Sequence, residues 1–251
     1  MLEKEQSACM MIKTGGVHLF NGNKKYVKRK TWIFRIVLAL LILSTIYAMY
    51  MFIISPSGSA QNEYERVKSD YVLMILQCMV GSVIIFLPSK VEERFRIDIP
   101  DIMEIIYFIF LFCAIYLGEV QNFYFKIPYW DLILHCFSAA MLGALGFVIV
   151  NYLNDSEKTN VRLTPFFVAL FSFCFALTCG TMWEIYEFTA DGVLSTNMQK
   201  FITSDGTVLI GREALVDTME DFIVDTLGAL AITVIGYMNL KREHKKQHSK
   251  A

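Results

Sequence analysis

Apolar positions along this chain gather into six blocks, parted by shorter polar stretches. They run at about Trp32–Ile54, Tyr71–Leu87, Ile102–Leu117, Leu132–Leu153, Pro165–Trp183 and Phe222–Leu240. Each is about long enough to cross roughly 30 Å of hydrocarbon as a helix. A segment in lipid must satisfy its own backbone polar groups, so helix is the structure the blocks predict. The second and third blocks are short and are expected to tilt little or to sit in thinned lipid. Pro56, Pro88, Pro100, Pro128 and Pro165 all fall at block edges, where the ring removes no interior helix hydrogen bond. The pattern therefore predicts an all-α, polytopic membrane protein, a bundle of six transmembrane helices. Residues 1–31 form an N-terminal arm, 32–240 the membrane domain with a long loop at about 188–220, and 241–251 a tail.

Lysine and arginine orient the bundle. The arm, the second and fourth connections and the tail carry seventeen of them: Lys4, Lys13, Lys24, Lys25, Lys28, Arg29, Lys30, Lys90, Arg94, Arg96, Lys158, Arg162, Lys241, Arg242, Lys245, Lys246 and Lys250. The alternate loops carry five: Arg66, Lys68, Lys126, Lys200 and Arg212. That bias predicts both termini in the cytoplasm, a plasma (inner) membrane location, and the 188–220 loop on the outer face. The first block is too long for a signal-peptide core and reads as a retained signal anchor. The basic arm, "KKYVKRK", could touch anionic lipid heads, although an orientation signal accounts for it as well. The lipid bilayer is the expected partner, nucleic acid is not, and nothing in the pattern sets an oligomeric state.

Composition agrees with the pattern. Hydrophobic residues make up 55% of the 251, and mean hydropathy is +0.45, against about 45–50% apolar residues in soluble domains. The net charge of −1 hides a basic inner side and an acidic outer side. Cys9, Cys78, Cys113, Cys136, Cys174 and Cys179 form no CxxC pair. Five lie within blocks, as small apolar side chains, so neither a disulfide framework nor a zinc–thiolate site is expected.

The chemistry concentrates at one end of the blocks. "WEIYEFTAD" closes the fifth with Glu184, Glu187 and Asp191, spaced three and four apart and so on one helical face. The fourth opens with Asp131 and His135, an i,i+4 pair. The sixth is preceded by Asp217 and Asp221 and contains Asp225, again four apart. Glu119 ends the third. Alternating connections bring all of these to the outer half of the bundle. An isolated charge in lipid costs roughly 2.5–3.5 kcal/mol even on a lenient scale, so the deep groups should turn inward and find partners. His135 and Arg212, even with Lys200 or Lys126, are too few. Either some carboxylates hold protons, because like charges in low dielectric resist ionisation, or a divalent cation sits among them. Oxygen-rich ligation with one imidazole suits Mg²⁺, Mn²⁺ or Ca²⁺, or Zn²⁺ with a mixed set. Asp217, Asp221 and Asp225 are the expected metal ligands. His135 as acid/base and Glu184 as activator of a nucleophile are the expected catalytic pair. Asp131, Glu187, Asp191 and Glu119 are expected binding residues. Asp131 and Asp217 also suit helix N-termini for dipole reasons alone. Glu104, beside Asp101, is expected to be wetted at the opposite interface. "SAAMLGALG" supplies small residues for close helix approach, and "QKFITSDGTVLIG" suggests a short hairpin over the polar cavity.

"LGEVQNFYFKIPYWDLILHCFSAAMLG", "WEIYE" and "DTMEDFIVDTLGA" resemble the YjdF-like family of bacterial multi-pass membrane proteins, over about Ile102 to Leu240. The resemblance implies an inner-membrane protein of about six spans and implies no reaction. The order is also distantly similar to VanZ-type proteins, with His135, Glu184, Asp221 and Gly228 at matching positions and Asp225 where that pattern has Asn. "DTMEDFIVD" is similar to the Mg²⁺-holding ladder of CDP-alcohol phosphotransferases. Their Asp-Gly-x2-Ala-Arg lead-in is absent, and an outward ladder does not suit a nucleotide donor.

Three functions fit these residues. One is a metal-assisted enzyme acting on a lipid or lipid-linked phosphate at the outer leaflet. Another is a structural or regulatory membrane subunit with an ionic lock. The third is a cation or small-solute transporter, disfavoured by the absence of a broken-helix pair, an inverted repeat or polar residues on the inner halves.

Overall fold

The computed structural model describes residues 24–58, 64–95, 98–155 and 163–248. Most of the basic arm with its expected lipid contact, together with Arg96, Lys158, Arg162 and Lys250, lies outside them. The described residues form helices α1 (Lys24–Ile54), α2 (Lys68–Ile84), α3 (Leu87–Phe95), α4 (Asp101–Leu111), α5 (Phe123–Lys126), α6 (Trp130–Asp155), α7 (Pro165–Leu194) and α8 (Arg212–His248). A π-helix, Phe112–Val120, continues α4 directly.

Among the described residues, six helical stretches are long and apolar enough to cross a membrane: Val27–Ile54, Lys68–Arg94, Asp101–Val120, Trp130–Asn151, Pro165–Leu194 and Arg212–Glu243. The all-α, six-span expectation holds. The spans run further than the apolar blocks, because a helix continues through polar residues wherever its hydrogen-bond ladder can. α7 passes through Asp191 to Leu194, and α8 starts at Arg212. The loop expected at 188–220 is therefore only 195–211. Of the most apolar stretch of each span, between 17% and 39% is buried inside the chain. Ile53, Val83, Phe188 and Val193 point outward, as lipid-facing side chains do. This is an integral, multi-pass membrane protein.

The spans pack as two groups of three. α1, α2 and α4 with its π-helix close around Leu41, Met74, Cys78, Phe108, Leu111 and Ile115. α6, α7 and α8 meet at Ala139, Ala176 and Ala229, and a stack of Phe110 on Phe137 joins the groups. The second group is tight because its contacts are small. A Cβ on Gly228 would stand 2.2 Å from the Cys136 carbonyl oxygen, and one on Gly146 would stand 2.8 Å from Ser172 Cα. These glycines let the α6, α7 and α8 backbones approach closely.

At the end where the chain's terminal segments emerge, Lys30 pairs with Asp101 at 2.6 Å and with Glu104. Both carboxylates are buried. Glu104 is thus not wetted at an interface, as its position suggested, because the long Lys30 side chain from α1 reaches it.

The opposite end carries the 54–68, 120–130 and 194–212 connections. In the last, Ile202 and Val208 form one antiparallel bridge, flanked by Thr203 N–H to the Thr207 carbonyl (2.9 Å) and Leu209 N–H to the Phe201 carbonyl (2.8 Å). This is the expected hairpin in its smallest form. Tyr64 N–H donates to the Ser204 carbonyl at 3.0 Å, tying the hairpin to the first connection.

Candidate functional site

α6, α7 and α8 converge on His135 at the end that carries the hairpin. Helical periodicity places Asp131 one turn before His135 on α6, Glu184 and Glu187 three apart on α7, and Asp217, Asp221 and Asp225 in a ladder on α8. Close packing of the three helices turns these faces toward one another. His135 Nε2 lies 3.8 Å from Glu184 Oε1, 3.9 Å from Asp221 Oδ1 and 4.0 Å from Asp131 Oδ1. Its Nδ1 lies 3.5 Å from Asp225 Oδ1. Gly180 makes room for that carboxylate, since a Cβ there would stand 2.2 Å from Asp225 Oδ2.

These carboxylates are buried and poorly satisfied. His135, Glu184, Asp221 and Asp225 have side-chain exposures of 8%, 4%, 1% and 2%. Among the described residues, both oxygens of Glu184, Asp221 and Asp225 and Oδ2 of Asp217 have no hydrogen-bond partner. Thr218 lies beside Glu184, outside hydrogen-bonding geometry, and its hydroxyl accepts from Gln199 Nε2 at 3.0 Å. A buried polar atom left without a partner costs about 1–3 kcal/mol, more if charged. So many in one place are balanced either by protons held on some of the carboxylates or by a cation among them.

Among the described residues, two trios could take a metal ion. His135, Glu184 and Asp221 each offer a ligand atom within 4.8 Å of the others, and so do Asp131, Asp217 and Asp221. Ligands held about 2.1 Å from one ion stand roughly 3.0–3.5 Å apart. The 3.8 and 3.9 Å separations at His135 Nε2 are slightly wider than that and too long for hydrogen bonds.

Lys200, from the hairpin loop, closes the cluster. Its Nζ lies 3.3 Å from Asp131 Oδ2, donates to the Met198 carbonyl at 2.7 Å, and stands 4.4 Å from the Tyr124 ring centre. Burial opposes its charge, but Asp131, Glu187 and Asp217 outweigh burial and hold its pKa well above the ordinary lysine value. Burial pushes the Tyr124 phenol up, and Asp131 adds to that. Among the described residues, five non-glycine positions take left-handed backbone angles: Tyr64, Asn122, Tyr129, Ser195 and Lys200. All five lie in the connections at this end.

The other site residues read from sequence have separate places. Glu187 accepts from Trp183 Nε1 at 2.8 Å and belongs to the electrostatic surroundings of Lys200. Asp191 is turned to the loop, accepting from Thr196 Oγ1 (2.7 Å), Met198 N–H (2.8 Å) and Gln199 N–H (2.9 Å). Its carboxylate builds the loop that carries Lys200. Glu119 lies across Lys200, in a cavity of about 180 Å³ lined also by Arg66, Asp70, Gln77 and Tyr124. Arg66 donates to the carbonyls of Glu119 and Val120 and so caps the π-helix. Lys126 turns to the Gln121 carbonyl at 3.3 Å. Arg212 is exposed and forms no ion pair among the described residues, so neither neutralises the cluster. Trp183, Tyr124 and Gly180 were not singled out from the sequence. An aromatic or a glycine in an apolar run carries no periodic sign of a neighbouring acid.

The model of a family described as "Predicted membrane protein (DUF2238)" matches residues 38–242. The chain belongs to this family. The YjdF-like resemblance is to the same family, and every residue of the acidic cluster falls inside the matched stretch. A Thermotoga maritima protein described as "Uncharacterized protein" is 30% identical over 155 residues, 61% of this chain and 70% of that protein. No solved structure matches. The VanZ-type likeness rests on its four positions alone.

Proposed function

We propose that the protein holds a divalent cation between α6, α7 and α8 and uses it to hydrolyse a phosphate ester on a lipid or lipid-linked group. The observation that carries this reading is the set of buried, unpartnered carboxylate oxygens around one imidazole. His135 Nε2, Glu184 and Asp221 are the ligands. Asp225 orients His135 through Nδ1, the arrangement by which a carboxylate sets the tautomer and basicity of a metal-bound histidine. This exchanges the roles expected from sequence: His135 and Glu184 become ligands, and Asp225 a positioning residue. The carboxylates suit Mg²⁺, Mn²⁺ or Ca²⁺, and the imidazole admits Zn²⁺. In the reaction, water oxygen bonds to phosphorus, the ester P–O bond breaks, and the alcohol leaves with one of the water's protons. Arg66 and Lys200 on the neighbouring cavity offer cationic contacts for a headgroup phosphate.

The seventeen-to-five bias of lysine and arginine supports cytoplasmic termini in the plasma (inner) membrane, with the cluster at the outer leaflet. Thermal unfolding of the purified protein in detergent at pH 8 tests the cation. Mg²⁺, Mn²⁺, Ca²⁺ or Zn²⁺ should raise Tm, chelator should reverse the rise, Asp221→Asn should abolish it and Glu184→Gln should diminish it. Indifference to all four ions would remove the metal centre and the hydrolase with it. The ionic-lock reading draws on the Lys200–Asp131 pair at 3.3 Å, by which a loop residue pins the helix ends. It predicts no response to metal and a marked loss of stability in Lys200→Met.

A further inference from the structure

We infer that the centre takes two divalent cations, bridged by Asp221. This rests on the metal-centre reading and deepens it. Asp221 belongs to both ligand trios, with His135 and Glu184 on one side and with Asp131 and Asp217 on the other. Its side chain is 1% exposed, and both of its oxygens lack a partner, so one is free for each ion. Independently, Asp217 Oδ2 is buried with no partner and belongs only to the second trio. Lys200 takes Oδ2 of Asp131 and leaves Oδ1, the oxygen nearer His135, to the ions.

Charge favours the same count. Six carboxylates (Asp131, Glu184, Glu187, Asp217, Asp221 and Asp225) gather around His135 and Lys200, and among the described residues the Lys200 ammonium is the fixed cation that reaches them. Ionised, with neutral His135, they leave minus five. One divalent ion leaves minus three, and two leave minus one. Paired ions about 3.5–4 Å apart form a clamp for two oxygens of one phosphoryl group, stabilising the attacking and the leaving oxygen together. The ligand class is therefore a phosphomonoester or diphosphate headgroup, bound through its phosphate oxygens.

The test uses the full chain in detergent, titrated with Mn²⁺ and read by metal content per chain and by electron paramagnetic resonance. Two Mn²⁺ per chain with an exchange-coupled spectrum are expected. Asp217→Asn should retain one ion with an uncoupled spectrum, while keeping the Tm of the metal-free wild type as a check on folding. One ion per chain in the wild type, unchanged by Asp217→Asn, would overturn the second site and leave the single-ion centre standing. Two ions without coupling would overturn the Asp221 bridge. No bound ion would overturn both this inference and the reading beneath it.

Discussion

Asp225→Asn separates a metal-positioning role from a structural one by how far its effect depends on metal. The substitution keeps the shape of the side chain and removes the charge 3.5 Å from His135 Nδ1. Loss of such a histidine partner typically weakens metal binding 10–100-fold. An ion at a hundred times its Kd stabilises the folded state by about 2.7 kcal/mol. At the same concentration, tenfold weaker binding leaves about 1.4 kcal/mol and hundredfold weaker binding about 0.4 kcal/mol. For a chain of this length 1 kcal/mol moves Tm by roughly 2–4 °C, so a metal-induced rise of about 5–11 °C should shrink to between about 1 and 6 °C. Without metal the effect is smaller. Both Asp225 oxygens are buried without a hydrogen bond, so the substitution then removes only the 3.5 Å approach to His135 Nδ1, and Tm should fall by less than it does with metal. The assay is thermal unfolding of wild type and variant, each with saturating Mn²⁺ and with chelator. An equal fall of Tm in both conditions would refute the reasoning, because Asp225 would then be a packing residue with no bearing on the ion.

Three further outcomes are expected. Lys30→Met should cost about 3 kcal/mol in unfolding free energy, the lower end for a broken buried pair, because Asp101 and Glu104 stay buried while Lys30 keeps some exposure; adding Asp101→Asn and Glu104→Gln should recover most of it. Stability supplied by Lys200 should be fully present below its unfolded pKa of about 10.4 and should fall as pH rises through its higher folded value; a pH series of unfolding midpoints should therefore show a wild-type decline in that alkaline range that Lys200→Met lacks. A cysteine placed by Asp205→Cys on the hairpin should react with an impermeant thiol reagent from outside intact cells, after the native cysteines are replaced; labelling only from the cytoplasmic side would reverse the topology and the outer-leaflet substrate together.

The sequence by itself determined six spans, because lipid leaves the backbone no alternative to helix and the apolar blocks have the required length. It also determined which acids share a face. Asp217, Asp221 and Asp225 recur every four residues, and Asp131 precedes His135 by one turn, so helical geometry settles those neighbours before any packing. Tertiary structure alone decided what the faces meet. The rotation and depth of α6, α7 and α8 follow from contacts such as Gly228 on Cys136 and Gly180 on Asp225, and these set which side of the His135 ring each carboxylate occupies. Asp191 shares the face of Glu184 and Glu187 in sequence, yet α7 carries it beyond the cluster, where loop N–H groups claim it. Glu119 ends its span at the right level but faces a different cavity across Lys200. Glu104 looked wetted until Lys30 reached it from another helix. The π-helix at Phe112–Val120 has no sign in a run that is apolar up to Glu119. Lys200 stood out only as a scarce cation, since a loop residue has no period to place it, and its position follows from the backbone bonds that fold 195–211 over the bundle end.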